Sequence, residues 1–358
     1  MGCGWWRVAM QVAAWVFAGC IAAVMIAPAV AVERVGDVGA AEITAAEPGQ
    51  ILRLWPLEGG TIGNGKAYRV LYRSTASDGA PIAVSGALII PDAPPPEGGR
   101  PVVAWAHPTT GVVERCAPTL LPDLSGTIPG LTEMLDRGWV VAATDYQGLG
   151  TPGPHPYLIG ESEARAVLDA VRAARRLPDA HASRRFAVWG HSQGGHAALF
   201  TGIEAARYAP ELMLVGVAAA APATYLVELF DADHNTQAGR TLTAMALLSW
   251  SKVFSVPADE ILAPASRGRF EAVAHDCIQS LAELLKLDED SQGLARGFLT
   301  ANPTNRSRGS RSCSATRRGI SPRECRLSSH RARPTTSCVR QSRDATPTIY
   351  AAAARGWS

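Results

Sequence analysis

Ser192 lies between Gly190 and Gly194 in AVWGHSQGGHAALF (187–200). An aromatic and β-branched run precedes it and an alanine-rich run follows. The spacing G-x-S-x-G suits a sharp strand-to-helix turn that projects a hydroxyl for attack on an acyl carbon. Only small residues tolerate so tight a turn, hence Gly190 and Gly194. The backbone N–H of Gln193, at the start of the following helix, can donate to an oxyanion and adds the positive end of the helix dipole. A second donor has to come from the loop after an earlier strand. AHPTTG (106–111) stands in the right chain order, with the backbone N–H of Thr109 or Thr110 as the donor. An ordinary loop with a Pro-led turn is the plainer alternative for that stretch. His107 is read as orienting the loop rather than as a base.

Elements that could hold such a site are legible on both sides of it. AYRVLYRSTA (67–76) and PIAVSGALIIP (81–91), split by the turn-like SDGA, read as a hairpin. PVVAWAHPTTG (101–111), GWVVAATDYQGLG (138–150), FAVWG and LMLVGVAAAAP (212–222) read as strands buried on both faces. Between them, ESEARAVLDAVRAARRL (161–177) is the clearest helix. Val167, Leu168, Val171, Ala174 and Leu177 share one face, Glu161 and Glu163 sit in the first turn, and Pro178 stops it. GGHAALFTGIEAARY is the next helix. Alternation of this kind predicts an α/β fold, a mostly parallel sheet with helices on both faces and its chemistry at the strands' C-terminal ends. From Tyr225 to Thr300 the text reads as three helices without an intervening strand, expected as an inserted cap or, more plainly, a helical extension.

AHPTTGVVERCAPT, ATDYQGLGTPGPHPYL and GHSQGGHAALF, in that order and at those distances, resemble the secreted lipase A-like family of α/β-hydrolases, whose members cleave acylglycerols and other carboxylic esters. The similarity covers roughly residues 45 to 303. It implies Ser192 as nucleophile, Gln193 with Thr109 and Thr110 as the oxyanion hole, a Cys116–Cys277 disulfide, and a lipid-facing lid over 225–300. Asp145 and Tyr146 fall where the family has a structural loop beside the active site. The implied organisation is a hydrolase core over 32–224 and a helical cap over 225–303.

The triad's acid and base are not legible. In this fold the order is Ser, then Asp or Glu, then His, on loops after the last two strands. Where those strands should begin, residues 305–344 hold 11 Arg, 9 Ser and 3 Cys and few large apolar side chains. No buried parallel strand can be built from that composition. We read 304–358 as an aberrant, disordered tail produced by a reading-frame change; a genuine basic tail for an anionic surface is the alternative. The histidines of the body, His155, His181, His191, His196, His234 and His275, show no pattern of a base, and His191 and His196 read as packing around the elbow.

Composition narrows the rest. The chain has 358 residues, 47% hydrophobic and 18% charged, enough for a large core. A net charge of +2 gives no case for nucleic acid. Residues 1–31 combine Arg7, an apolar run and Ala29-Val30-Ala31, a secretory signal ending in an A-x-A site, with an uncleaved anchor as the alternative. With the leader removed, Cys116 and Cys277 remain in the patterned body, and in an exported chain the even pair predicts a disulfide rather than two free thiols. No metal-ligand cluster is visible and the chemistry needs no cofactor. The expected partner is a lipid ester, met at a lipid interface or the cell envelope by a secreted enzyme. Without a base, little turnover is expected. A non-catalytic lipid-binding remnant and an acyltransferase using the same elbow are the alternatives.

Overall fold

The structure is a computed structural model that describes residues 38–300, apart from Pro122, His234, Val256, Ala295 and Arg296. The leader over 1–31, the tail over 304–358 and any strands after Pro303 lie outside the described residues. After a short helix, α1 (Ala40–Ala45), the chain forms β1 (Ile51–Ile62), β2 (Gly65–Thr75), β3 (Pro81–Pro91), β4 (Arg100–Ala106), β5 (Val140–Thr144), β6 (Ala182–His191) and β7 (Met213–Ala220). They make one sheet in the order β1-β2-β3-β5-β4-β6-β7. The β1, β2, β3 and β5 neighbours pair antiparallel, and β5, β4, β6 and β7 run parallel.

Two layers cover this sheet. On one face, α3 (Gly160–Arg176) and α4 (Gln193–Tyr208) bury Val167, Val171, Ala197 and Ala198 against Val102, Ala104, Phe186 and Val188. On the other, α2 (Leu131–Asp136) packs Leu131, Met134 and Leu135 against Ile89, Val103 and Trp105. Because strand side chains alternate between faces, apolar residues on both sides of β4 and β5 are what two covering layers require.

Beyond β7 the chain is helical: α5 (Leu226–Asp233), α6 (Gln237–Val253), α7 (Arg267–His275) and α8 (Leu281–Gln292). These helices enclose their own core of Leu226, Phe230, Met245, Trp250, Phe270 and Phe298, joined by Tyr157, Leu158 and Ile159 from the segment before α3.

The structure corrects the sequence reading in four places. β1 was not expected: Pro56 interrupts the run, and an edge strand with register shifts tolerates it. β7 is half-buried rather than enclosed, because it is the last strand of the sheet among the described residues. DEILAPASRGRFEAVAHDCIQSLAELLKL is two helices, broken at Asp276 where the chain turns to reach Cys116. The stretch after Leu294 is not helical within the described residues; Leu299 forms a single antiparallel bridge to Leu262.

Candidate active site

Ser192 occupies the one-residue turn between β6 and α4 at φ 56° and ψ −117°. Left-handed backbone of this kind costs a non-glycine residue about 1–3 kcal/mol and persists only where its surroundings fix it. Three backbone hydrogen bonds do so here. The Ser192 N–H donates to Ala220 O at 3.0 Å, and Ser192 O accepts from His196 N at 3.0 Å and Ala223 N at 3.2 Å. The two glycines are demanded by close approach. A Cβ on Gly194 would stand 1.8 Å from Ala106 O, and one on Gly190 would stand 2.0 Å from Gly194 O. The helix start is therefore pressed against the end of β4.

That contact brings the loop after β4 beside the elbow. Ala106 and Gly190 are register partners in the parallel β4–β6 pair, so His107–Gly111 and Ser192–Gln193 leave the same end of adjacent strands. The Thr109 Oγ1 lies 2.8 Å from Tyr157 Oη, and Thr110 O accepts from Ile278 N at 2.9 Å. A disulfide joins Cys116, just beyond this loop, to Cys277 in the turn between α7 and α8. The loop is thus held from the helical segment as well as from the sheet.

Asp145 and Tyr146 act as braces. Asp145, buried at the end of β5, accepts from Ser85 Oγ at 2.6 Å and from the N–H and hydroxyl of Thr119. Tyr146 donates its hydroxyl to His107 O at 3.2 Å. The His107 ring contacts Pro108 O and Asp145 O, and burial holds its pKa below the usual imidazole value.

Beneath the elbow is a buried polar cluster. Glu163 in the first turn of α3 accepts from Leu158 N at 3.1 Å and from Gln193 Nε2 at 2.9 Å. Its other oxygen lies 2.7 Å from His196 Nδ1. Gln193 Nε2 is also 3.0 Å from His155 Nε2, and His155 Nδ1 is 2.8 Å from Gln147 O. Because Glu163 fixes the amide nitrogen of Gln193 as the donor, His155 Nε2 is the acceptor and Nδ1 carries the proton. Burial pushes His155 down to about 4, which keeps it neutral. Glu163, His155 and Tyr157 went unread as members of a site. One signal was available: Glu163 lies four residues before Val167 on the apolar face of α3, and a carboxylate on a buried stripe needs partners.

None of the described histidines closes on Ser192. The His107, His155, His196 and His275 rings are hydrogen-bonded elsewhere, and among the described residues no imidazole is hydrogen-bonded to Ser192 Oγ. Among the described residues there is also no group of three or more metal-ligating side chains, and no helix long and apolar enough to cross a membrane.

Residues 128–298 match the family model described as secretory lipase. Over 260 residues the chain is 26% identical to "Lipase A" of Arthroderma benhamiae, covering 64% of this chain and 53% of that one. It is 29% identical over 192 residues to a Mycobacterium tuberculosis protein named "Probable inactive lipase MT1628", covering 49% and 42%. The chain spans about half the length of these sequence relatives. Among solved structures, Candida antarctica lipase A superposes with a TM-score of 0.63 at 18% identity, covering 78% of this chain and 67% of that one. The rice cell wall degrading esterase LipA from Xanthomonas oryzae superposes with a TM-score of 0.62 at 22% identity, covering 76% and 79%.

Proposed function

We propose, on the premise that this chain is a relative of the secretory lipases with the α/β-hydrolase fold, that its site is built for hydrolysis of carboxylic esters of lipids with Ser192 as nucleophile. One observation carries this reading: Ser192 sits in left-handed backbone at a strand-to-helix turn, over two glycines whose Cβ positions are filled by backbone. In such a reaction Ser192 Oγ bonds to the acyl carbon and its proton passes to a base. The N–H of Gln193 and that of Thr109 or Thr110 hold the oxyanion. The alcohol leaves protonated, and water then releases the acid. Residues 225–303 serve as the cap over the acyl chain, and 1–31 as the leader of a secreted chain working at a lipid interface or the cell envelope.

Turnover by this polypeptide is proposed to be low. The proton leaving Oγ needs an acceptor, and the buried imidazoles of His107, His155 and His196 are committed to other partners. Losing triad members removes most of the rate and leaves what binding and the oxyanion hole supply. The same observation favours a second reading, a lipid-binding remnant whose helical segment still holds an acyl chain.

A fluorophosphonate probe with intact-mass and peptide analysis, run beside turnover of p-nitrophenyl esters, tests both. Labelling confined to Ser192 and lost in Ser192→Ala supports the nucleophile. Fatty-acid binding without any labelling leaves only the remnant.

A further inference from the structure

The segment His155–Tyr157 belongs neither to the sheet nor to a helix, yet it touches the side chains of Gln193 and Thr109, one residue in each of the two proposed donor segments. Helix α6 grips it from one side. Ser249 Oγ donates to His155 O at 2.6 Å and accepts from Tyr157 N at 3.0 Å, while Trp250 Nε1 donates to Tyr157 O at 2.8 Å. From the other side its two ring side chains reach the two donor segments. The His155 imidazole holds the Gln193 amide at 3.0 Å, and the Tyr157 hydroxyl meets Thr109 Oγ1 at 2.8 Å. His155, Tyr157 and Ser249 are each no more than 2% exposed, so water does not compete for these bonds.

Both side chains are poorly explained as packing alone. A buried imidazole and a buried phenol each carry a desolvation penalty that apolar residues of similar shape would avoid. Here each polar atom finds a partner on a different element, and those partners stand beside the acyl site rather than within the apolar core.

We propose that His155 and Tyr157 are positioning residues: a strut through which the seating of α6 sets the spacing between Gln193 and Thr109. This inference rests on the assignment of those two segments as oxyanion donors. Its consequence is that a displacement of α6, as when an acyl chain enters the helical segment, moves both donors together. Ser249 and Trp250 act one step further out, through the strut.

Three amides report the two donor segments without requiring turnover. Ile278 N–H is bonded to Thr110 O, and the Ser192 and His196 N–H groups are bonded at the elbow. In the full chain, Ser249→Ala removes both Ser249 bonds at a residue outside the site. Hydrogen exchange at all three amides should quicken about fivefold to tenfold, the worth of a hydrogen bond, with Val103 and Ala142 in the sheet unchanged. Tyr157→Phe should quicken Ile278 alone. Thr109→Val should do the same with no additional effect in the double variant, and Thr109→Ser, which keeps the hydroxyl, should not. Exchange that quickens only within 155–158 and α6, or uniformly through the sheet, overturns the strut. Fluorophosphonate labelling of the unmodified chain separately decides whether Ser192 is a nucleophile.

Discussion

Glu163 Oε2 lies 2.7 Å from His196 Nδ1, joining the first turn of α3 to the first turn of α4 directly under the elbow. Both side chains are buried, and the second Glu163 oxygen takes the Gln193 amide. The elbow helix is thus oriented by a carboxylate 30 residues earlier in the chain.

Removing that carboxylate strands several donors at once. Glu163→Leu should destabilise the fold by about 3–5 kcal/mol, since breaking one side of a buried polar cluster leaves the rest unpaired. Glu163→Gln, which keeps the shape and one acceptor, should cost less than half of that. Urea unfolding of both variants measures the difference.

The elbow glycines give a sharper contrast. Gly194→Ala places a methyl 1.8 Å from Ala106 O, and neither backbone can yield. A loss of about 4 kcal/mol or more, or failure to fold, is expected. Gly268→Ala in α7 meets nothing within 4 Å and should be neutral or stabilising by about 0.5–1 kcal/mol. Thermal melts of the pair separate close approach from a general dislike of substitution.

His155 makes stability depend on acidity. Its folded pKa is about 4, pushed down by burial, whereas in the unfolded chain it titrates near 6.5. Between those values the unfolded state binds the extra proton, so stability is intact above about pH 6.5 and declines as the pH falls towards 4, by roughly 3 kcal/mol in all. His107, also held low by burial, adds in the same direction. Buried carboxyls raised by burial, Asp169 and Glu161, act in the opposite sense. Guanidinium unfolding at pH 7 and pH 4.5 should therefore show a smaller pH dependence in His155→Gln than in the unmodified chain.

The Cys116–Cys277 disulfide closes a loop of 161 residues. Cys116→Ala combined with Cys277→Ala should cost about 2–5 kcal/mol, in a chain-entropy account of crosslinking. The turn at 276–279, which also binds the loop through Ile278 N and Gln279, should become the first segment to exchange. Calorimetry with and without reductant, followed by hydrogen-exchange mass spectrometry, tests both statements.

Local pattern carried much of this molecule because local pattern is what short-range physics acts on. The alternating or β-branched runs in Gly65–Thr75 and Pro81–Pro91, the apolar stripe of Gly160–Arg176 and the glycines flanking Ser192 each express a constraint met within a few residues. β1 escaped notice since Pro56 speaks against a strand unless the strand is known to lie at an edge. The same ignorance of neighbours made β7 look enclosed, as an apolar run says nothing about how many strands flank it. Tertiary structure alone decided that Glu163, in the first turn of a helix, and His155 and Tyr157, in the segment before it, meet Gln193 and Thr109. Those meetings span 30 to 48 residues of chain, and which buried donor finds which acceptor is fixed only when the sheet, α4 and α6 have closed around them.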